Sequence, residues 1–188
     1  CSRTRGPRTP GRPARSSACR FFSRRDAYGR SDTTVSARKV MIVAGEASGD
    51  LHGGNLIREM QRIDPRLSFY GMGGERMKAA GVTLLADAAD MAVVGLTEVV
   101  FKLGTILQVM HRLTTSLKKE RPDLVILIDY PDFNLPLART TRRLGIKVLY
   151  YISPQVWAWR KGRIDTIRKS VDRMAVILPF EEQFYREA

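Results

Sequence analysis

Cysteine is nearly missing from this chain: Cys1 and Cys19 are the only two, and both precede residue 39. The remainder can build neither a disulfide framework nor a cysteine metal site. Histidine is equally scarce, with His52 and His111 alone, which argues against a multi-histidine metal centre. No apolar run approaches the roughly 20 residues that a membrane-spanning helix needs. No internal repeat is present. No methionine occurs before Met41, the first residue is Cys1, and the last residues, Phe184 to Ala188, read as part of a helix. Both ends therefore read as cut.

What is abundant is positive charge, and its placement matters more than its amount. The net charge is +13. Residues 1–39 carry 11 Lys and Arg against Asp26 and Asp32, or +9, leaving only +4 for residues 40–188. The basic excess belongs to a tail, not to the folded part. Residues 1–38 are rich in Arg, Ser, Pro and Gly and poor in aliphatic side chains. Such a segment cannot bury enough surface to offset its ordering entropy and is expected to be disordered. It reads in three ways: upstream sequence from a wrong start or fragment, an organelle transit peptide, or a basic arm for nucleic acid or anionic lipid.

Residues 39–188 are long enough for one domain with a proper core. Leu124–Ile128 is five apolar residues, three of them β-branched, the pattern of a strand buried on both faces in a parallel sheet. Further strands are expected at 39–44, 67–71, 82–86, 147–152 and 174–178, with helices between them. Alternation of this kind predicts a doubly wound parallel α/β sheet. Ligands in such sheets sit beyond the carboxyl ends of the strands.

Three strand ends carry polar groups. After Ala44 comes Gly45-Glu-Ala-Ser-Gly-Asp50. Its glycine spacing fails the dinucleotide fingerprint, and Glu46 and Asp50 would repel a pyrophosphate. Acidic turns suit hydroxyl-rich groups such as sugars; the alternative is a tight strand–helix turn and nothing more. Ser48 is placed as the N-cap of a helix over about 50–62. After Ile128 comes Asp129, either a carboxylate for chemistry or a turn cap. Asp132 is placed as the N-cap of a helix over about 134–143, which leaves Asp129 free. After Ile152 comes Ser153-Pro-Gln-Val-Trp-Ala-Trp-Arg160, with both tryptophans of the chain. Indoles stack on sugar rings and Arg pairs with phosphate, although a Trp pair can equally plug a core edge. The stretch 91–117 has a wide apolar stripe at helical spacing through Val99, Val100, Leu103, Ile106, Leu107 and Met110. It reads as a core helix or as an apolar surface for acyl chains or a membrane.

Taken together, Val43–Asp50, Ile128–Asn134 and Ser153–Arg160, in this order at successive strand ends, resemble the N-terminal half of the lipid-A-disaccharide synthase family. Leu178–Tyr185 resembles the stretch that closes that half. The resemblance covers residues 39–188 and not the tail. It implies a Rossmann-like N-terminal, acceptor-binding domain of an inverting GT-B glycosyltransferase whose C-terminal donor domain is missing. The implied reaction joins UDP-2,3-diacylglucosamine to 2,3-diacylglucosamine 1-phosphate, giving a β(1→6) disaccharide and UDP in lipid A biosynthesis, with this fragment inactive alone. By the same resemblance Asp129 is the catalytic base, and Glu46, Ser48 and Asp50 line the acceptor side. Asn134, Gln155, Trp157 and Arg160 are further substrate-binding candidates. Val99, Val100, Leu103, Ile106 and Leu107 become acyl or membrane contacts. No metal, cofactor or nucleic acid is expected. The expected place is the cytoplasmic side of a bacterial inner membrane, peripherally bound, with organelle import if the tail is a transit peptide; a homo-oligomer is compatible. The alternatives are another UDP-sugar enzyme of this architecture, such as an epimerase or lipid-linked sugar transferase, or a non-enzymatic basic-tailed binding module.

Overall fold

The computed structural model describes residues 37–91, 98–154 and 162–187. Six strands, β1 (Arg38–Ala44), β2 (Leu67–Gly73), β3 (Thr83–Asp87), β4 (Leu124–Ile128), β5 (Lys147–Tyr151) and β6 (Arg173–Ala175), form one sheet in the order β3-β2-β1-β4-β5-β6. Every pairing is parallel. Among the described residues six α-helices connect and follow them: α1 (Ala47–Ile63), α2 (Glu75–Ala79), α3 (Glu98–Glu120), α4 (Pro131–Arg143), α5 (Gly162–Ser170) and α6 (Pro179–Glu187). This is the doubly wound, Rossmann-type arrangement that the β/α alternation predicts. The chain order reverses between β1 and β4, so the crevice at the sheet's carboxyl edge opens between Ala44 and Ile128, which are register partners.

The central strands bury both faces because neither face meets water. Met41 and Val43 of β1 join Val125 and Leu127 of β4 in one core, closed by Leu113 and Leu117 of α3, Leu137 of α4 and Ile167 of α5. The alternate residues Val40, Ile42, Ala44, Ile126 and Ile128 face the other way, against Ile57 of α1 and Met77 of α2. The period-2 alternation of strand side chains thus divides one apolar run between two cores.

Three local expectations are corrected. Helix α1 starts at Ala47, with Glu46 at the N-cap position and no side-chain cap, so Ser48 lies inside the first turn and is not the cap. Helix α4 starts at Pro131, whose fixed φ and missing N–H suit the first helical position. Asp132 is therefore a first-turn residue and not the N-cap. The last strand is short, Arg173–Ala175, and Ile177 and Leu178 beyond it are exposed. An edge strand pairs on one side only, so fewer ladder bonds hold its end.

Helix α3 resolves the apolar stripe into two parts. Val109, Leu113 and Leu117, four residues apart, are buried in the core, with Ile106 and Met110 half-buried beside them. Leu103 and Leu107 remain 54% and 60% exposed. The side chains of Val99 and Val100 lie outside the described residues.

Candidate functional site

The site grows from the end of β4. After Ile128 the chain enters the left-handed region twice in succession, at Asp129 (φ 45°) and Tyr130 (φ 45°), before Pro131 opens α4. Asp tolerates this region better than most residues and Tyr does so poorly, and such conformations cost on the order of 1–3 kcal/mol each. Surrounding contacts hold the turn. The Asp129 N–H donates to the Tyr151 carbonyl at 3.2 Å. The Tyr150 hydroxyl donates to the Asp129 carbonyl at 2.5 Å. Asn134 Nδ2 donates to the same carbonyl at 2.7 Å and to that of Ile128 at 3.1 Å. The Tyr130 ring stacks against Phe133, with centroids 6.0 Å apart, and covers Gly45.

The Asp129 carboxyl is half-buried. Burial raises its pKa above the ordinary carboxylate value, and a hydrogen bond from the Tyr130 backbone N–H opposes that only partly. A carboxylate so placed is a stronger base than one in open water. The neighbouring Tyr130 phenol is also pushed up, first by burial and then by the carboxylates of Glu46 and Asp132. The turn after β1 and the turn after β4 thus share one acidic neighbourhood. Glu46 and Ser48 are exposed along its β1 side. Asp132 is exposed and ion-pairs with Arg163 of α5.

Two candidates from the sequence hold main-chain groups of the fold. Asp50 is only 7% exposed, and its oxygens accept the backbone N–H groups of Gly74 (2.7 Å), Arg76 (3.0 Å) and Met77 (3.0 Å). It caps α2 across a gap of 24 residues. Asn134 is fully buried, with Nδ2 committed to two main-chain carbonyls. Both side chains are thus tied to main-chain groups of the fold.

The end of β5 is anchored from behind. Ile152 is left-handed (φ 63°), an outlier for a β-branched residue, and its N–H donates to the Ala175 carbonyl at 2.9 Å. Ser153 Oγ donates to Glu181 Oε1 at 2.6 Å in a buried contact; Glu181 itself is 2% exposed and also accepts the Leu178 N–H at 3.2 Å. The Tyr185 hydroxyl donates to the Pro154 carbonyl at 3.1 Å. Helix α6 therefore holds Ser153 and Pro154; the candidates Gln155, Trp157 and Arg160 lie outside the described residues. Sequence reading missed Tyr150, Glu181 and Tyr185. The sequence carries no local signal for the last two, since Glu181 stands beside Glu182 and Tyr185 beside Arg186 in an ordinary amphipathic stretch.

Among the described residues no group of three or more His, Cys, Asp or Glu could hold a metal ion. No described helix is long and apolar enough to cross a membrane.

The family model described as Lipid-A-disaccharide synthetase matches residues 40–188. The chain belongs to the lipid-A-disaccharide synthase family. Lipid-A-disaccharide synthase of Syntrophus aciditrophicus is 66% identical over 154 residues, covering 82% of this chain and 40% of that protein. The Geobacter sulfurreducens protein of the same name is 58% identical over 156 residues, covering 83% and 41%. The Myxococcus xanthus one is 51% identical over 150 residues, covering 80% and 39%. The chain thus spans about 40% of the length of these lipid-A-disaccharide synthases. Among solved structures, a Listeria monocytogenes protein described as a UDP-N-acetylglucosamine 2-epimerase superposes with a TM-score of 0.53 at 9% identity, over 81% of this chain and 42% of that one. At that identity the likeness concerns the fold alone.

Within this member of the lipid-A-disaccharide synthase family, the described part of the site has a definite chemistry. It offers one half-buried carboxylate, Asp129, on a turn held from three sides. Glu46, whose charge reaches Tyr130, and Ser48 are exposed on the turn after β1 and able to accept or exchange hydrogen bonds with hydroxyl groups.

Proposed function

We propose that this chain is the acceptor-binding half of a lipid-A-disaccharide synthase. The reaction transfers 2,3-diacylglucosamine from its UDP carrier to the 6-hydroxyl of 2,3-diacylglucosamine 1-phosphate. The Asp129 carboxylate takes the hydroxyl proton as the oxygen attacks the anomeric carbon. The bond from that carbon to the diphosphate breaks, and UDP leaves with the electron pair from the opposite face, inverting the configuration. The observation that carries this reading is the raised, half-buried Asp129 carboxylate on a braced turn at the sheet's switch point. Glu46 and Ser48 hold acceptor hydroxyls, and Gln155, Trp157 and Arg160 are further substrate-binding residues.

Both substrates are lipids, so the enzyme works at a membrane surface, peripherally, on the cytoplasmic face of the inner membrane. The exposed Leu103 and Leu107 of α3 are the contact this reading favours. The donor sugar nucleotide is bound by the further length that the relatives possess.

The test is a transfer assay on the full-length protein carrying this chain. With both diacylated substrates it should release UDP and the disaccharide 1-phosphate in equal amounts, and residues 37–188 alone should not. A full-length protein that leaves this pair untouched while turning over another UDP-sugar would replace the reading.

A further inference from the structure

The residue read above as the base sits in a conformation that its own sequence does not favour, two left-handed residues in a row after a buried strand. Two side chains from different elements converge on one atom of that turn, the Asp129 carbonyl oxygen. Tyr150 comes from the interior of β5, in register opposite Leu127, and its ring is fully buried. Its hydroxyl reaches the carbonyl at 2.5 Å. Asn134 comes from the first turn of α4 and reaches it at 2.7 Å. The amide orientation of Asn134 is fixed by chemistry: two carbonyl oxygens face the group, and only the NH2 end can donate to both. Its Oδ1 is buried with no hydrogen-bond partner among the described residues. An apolar residue would fit this buried helix face without that cost; what the asparagine adds is its two donors to main-chain carbonyls.

We propose that Tyr150 and Asn134 are positioning residues for the Asp129 carboxylate, clamping the main-chain carbonyl of Asp129 so that the left-handed turn, and with it the direction and burial of the side chain, is fixed. This rests on the reading of Asp129 as the base. The clamp touches no substrate and acts only through Asp129. If the turn slackens, the carboxylate gains water, its pKa falls back toward the ordinary carboxylate value, and it becomes a weaker and less well-aimed base.

The test uses the full-length enzyme with Tyr150→Phe, which removes one hydroxyl and keeps the ring in the core. The expected result is a fall in kcat of about tenfold with the acceptor KM within about twofold, because a small misplacement near the chemistry lowers rate more than binding. The acid limb of the kcat–pH profile should also move to lower pH. Asn134→Ala should change both in the same direction. In an Asp129→Asn background, Tyr150→Phe should cause no further loss of rate. Wild-type kcat and an unmoved acid limb in Tyr150→Phe, beside a slow Asp129→Asn, would overturn the clamp even if the melting temperature dropped. Wild-type turnover in Asp129→Asn would instead remove the base reading, and the clamp with it. Which variant keeps its rate tells the two failures apart.

Discussion

The ring of Tyr130 occupies the space that any side chain at Gly45 would need: a Cβ there would fall 2.3 Å from Tyr130 Cδ1 and 2.8 Å from Cε1. The turn after β1 and the turn after β4 are thereby interlocked, although 85 residues separate them in sequence. Gly45→Ala should push the ring off its seat and lower the denaturant midpoint by the equivalent of about 1–3 kcal/mol, the usual range for overpacking. Turnover should drop as well, because Tyr130 adjoins the base. Adding Tyr130→Ala should restore part of the stability lost to Gly45→Ala, a coupling that a double-mutant cycle measures.

Asp50 yields a prediction of the opposite kind. Asp50→Ala strips three N–H groups at the start of α2 of their acceptor. The stability loss should be about 2 kcal/mol, in the upper range for a lost cap. The acceptor KM of the full-length enzyme, measured where the variant is folded, should stay near wild type. A raised KM with unchanged stability would return Asp50 to the substrate.

The sequence was most legible where the cause is local. Five apolar residues at Leu124–Ile128 announce a buried parallel strand, and Gly145 marks the end of α4 because a left-handed residue (φ 75°) is needed there. It was least legible where a side chain answers to a distant partner. Asp50 reads as an acid near the start of its own helix, yet it caps a different one. Asn134 reads as a ligand because it follows the acidic turn, yet it braces that turn from within the core. Local capping rules misplaced Asp132 because they do not foresee a tyrosine held left-handed by a ring seat on Gly45. Likewise, periodicity finds the stripe of α3 without telling which turns the sheet covers.

The buried charge of Asp129 also has a sign that can be checked in stability. Its folded pKa is raised, so the folded state holds its proton more tightly than the unfolded chain does. Its favourable contribution is present at pH below the ordinary carboxylate value and is lost as pH rises through the folded pKa. Asp129→Asn should therefore be more stable than wild type at pH 7. The advantage should vanish in acid, where both side chains are neutral. Denaturant midpoints at the two pH values provide the measurement.

Leu103 and Leu107 are already exposed, so replacing them should leave the fold intact. Leu103→Ser with Leu107→Ser should keep the melting temperature of the parent. It should lower partitioning of the full-length protein onto phospholipid vesicles by about tenfold, given roughly 1.5–3 kcal/mol for each leucine fully buried and less for partial burial. Unchanged partitioning would remove α3 from the membrane contact.

The most direct measurement is the turnover of Asp129→Asn in the full-length protein, with both diacylated substrates saturating and acceptor affinity measured separately by equilibrium binding. Loss of a general base predicts a fall in kcat of about 10²–10⁴-fold, with acceptor binding close to that of the parent protein. A variant that binds and transfers at the parental rate would contradict the account.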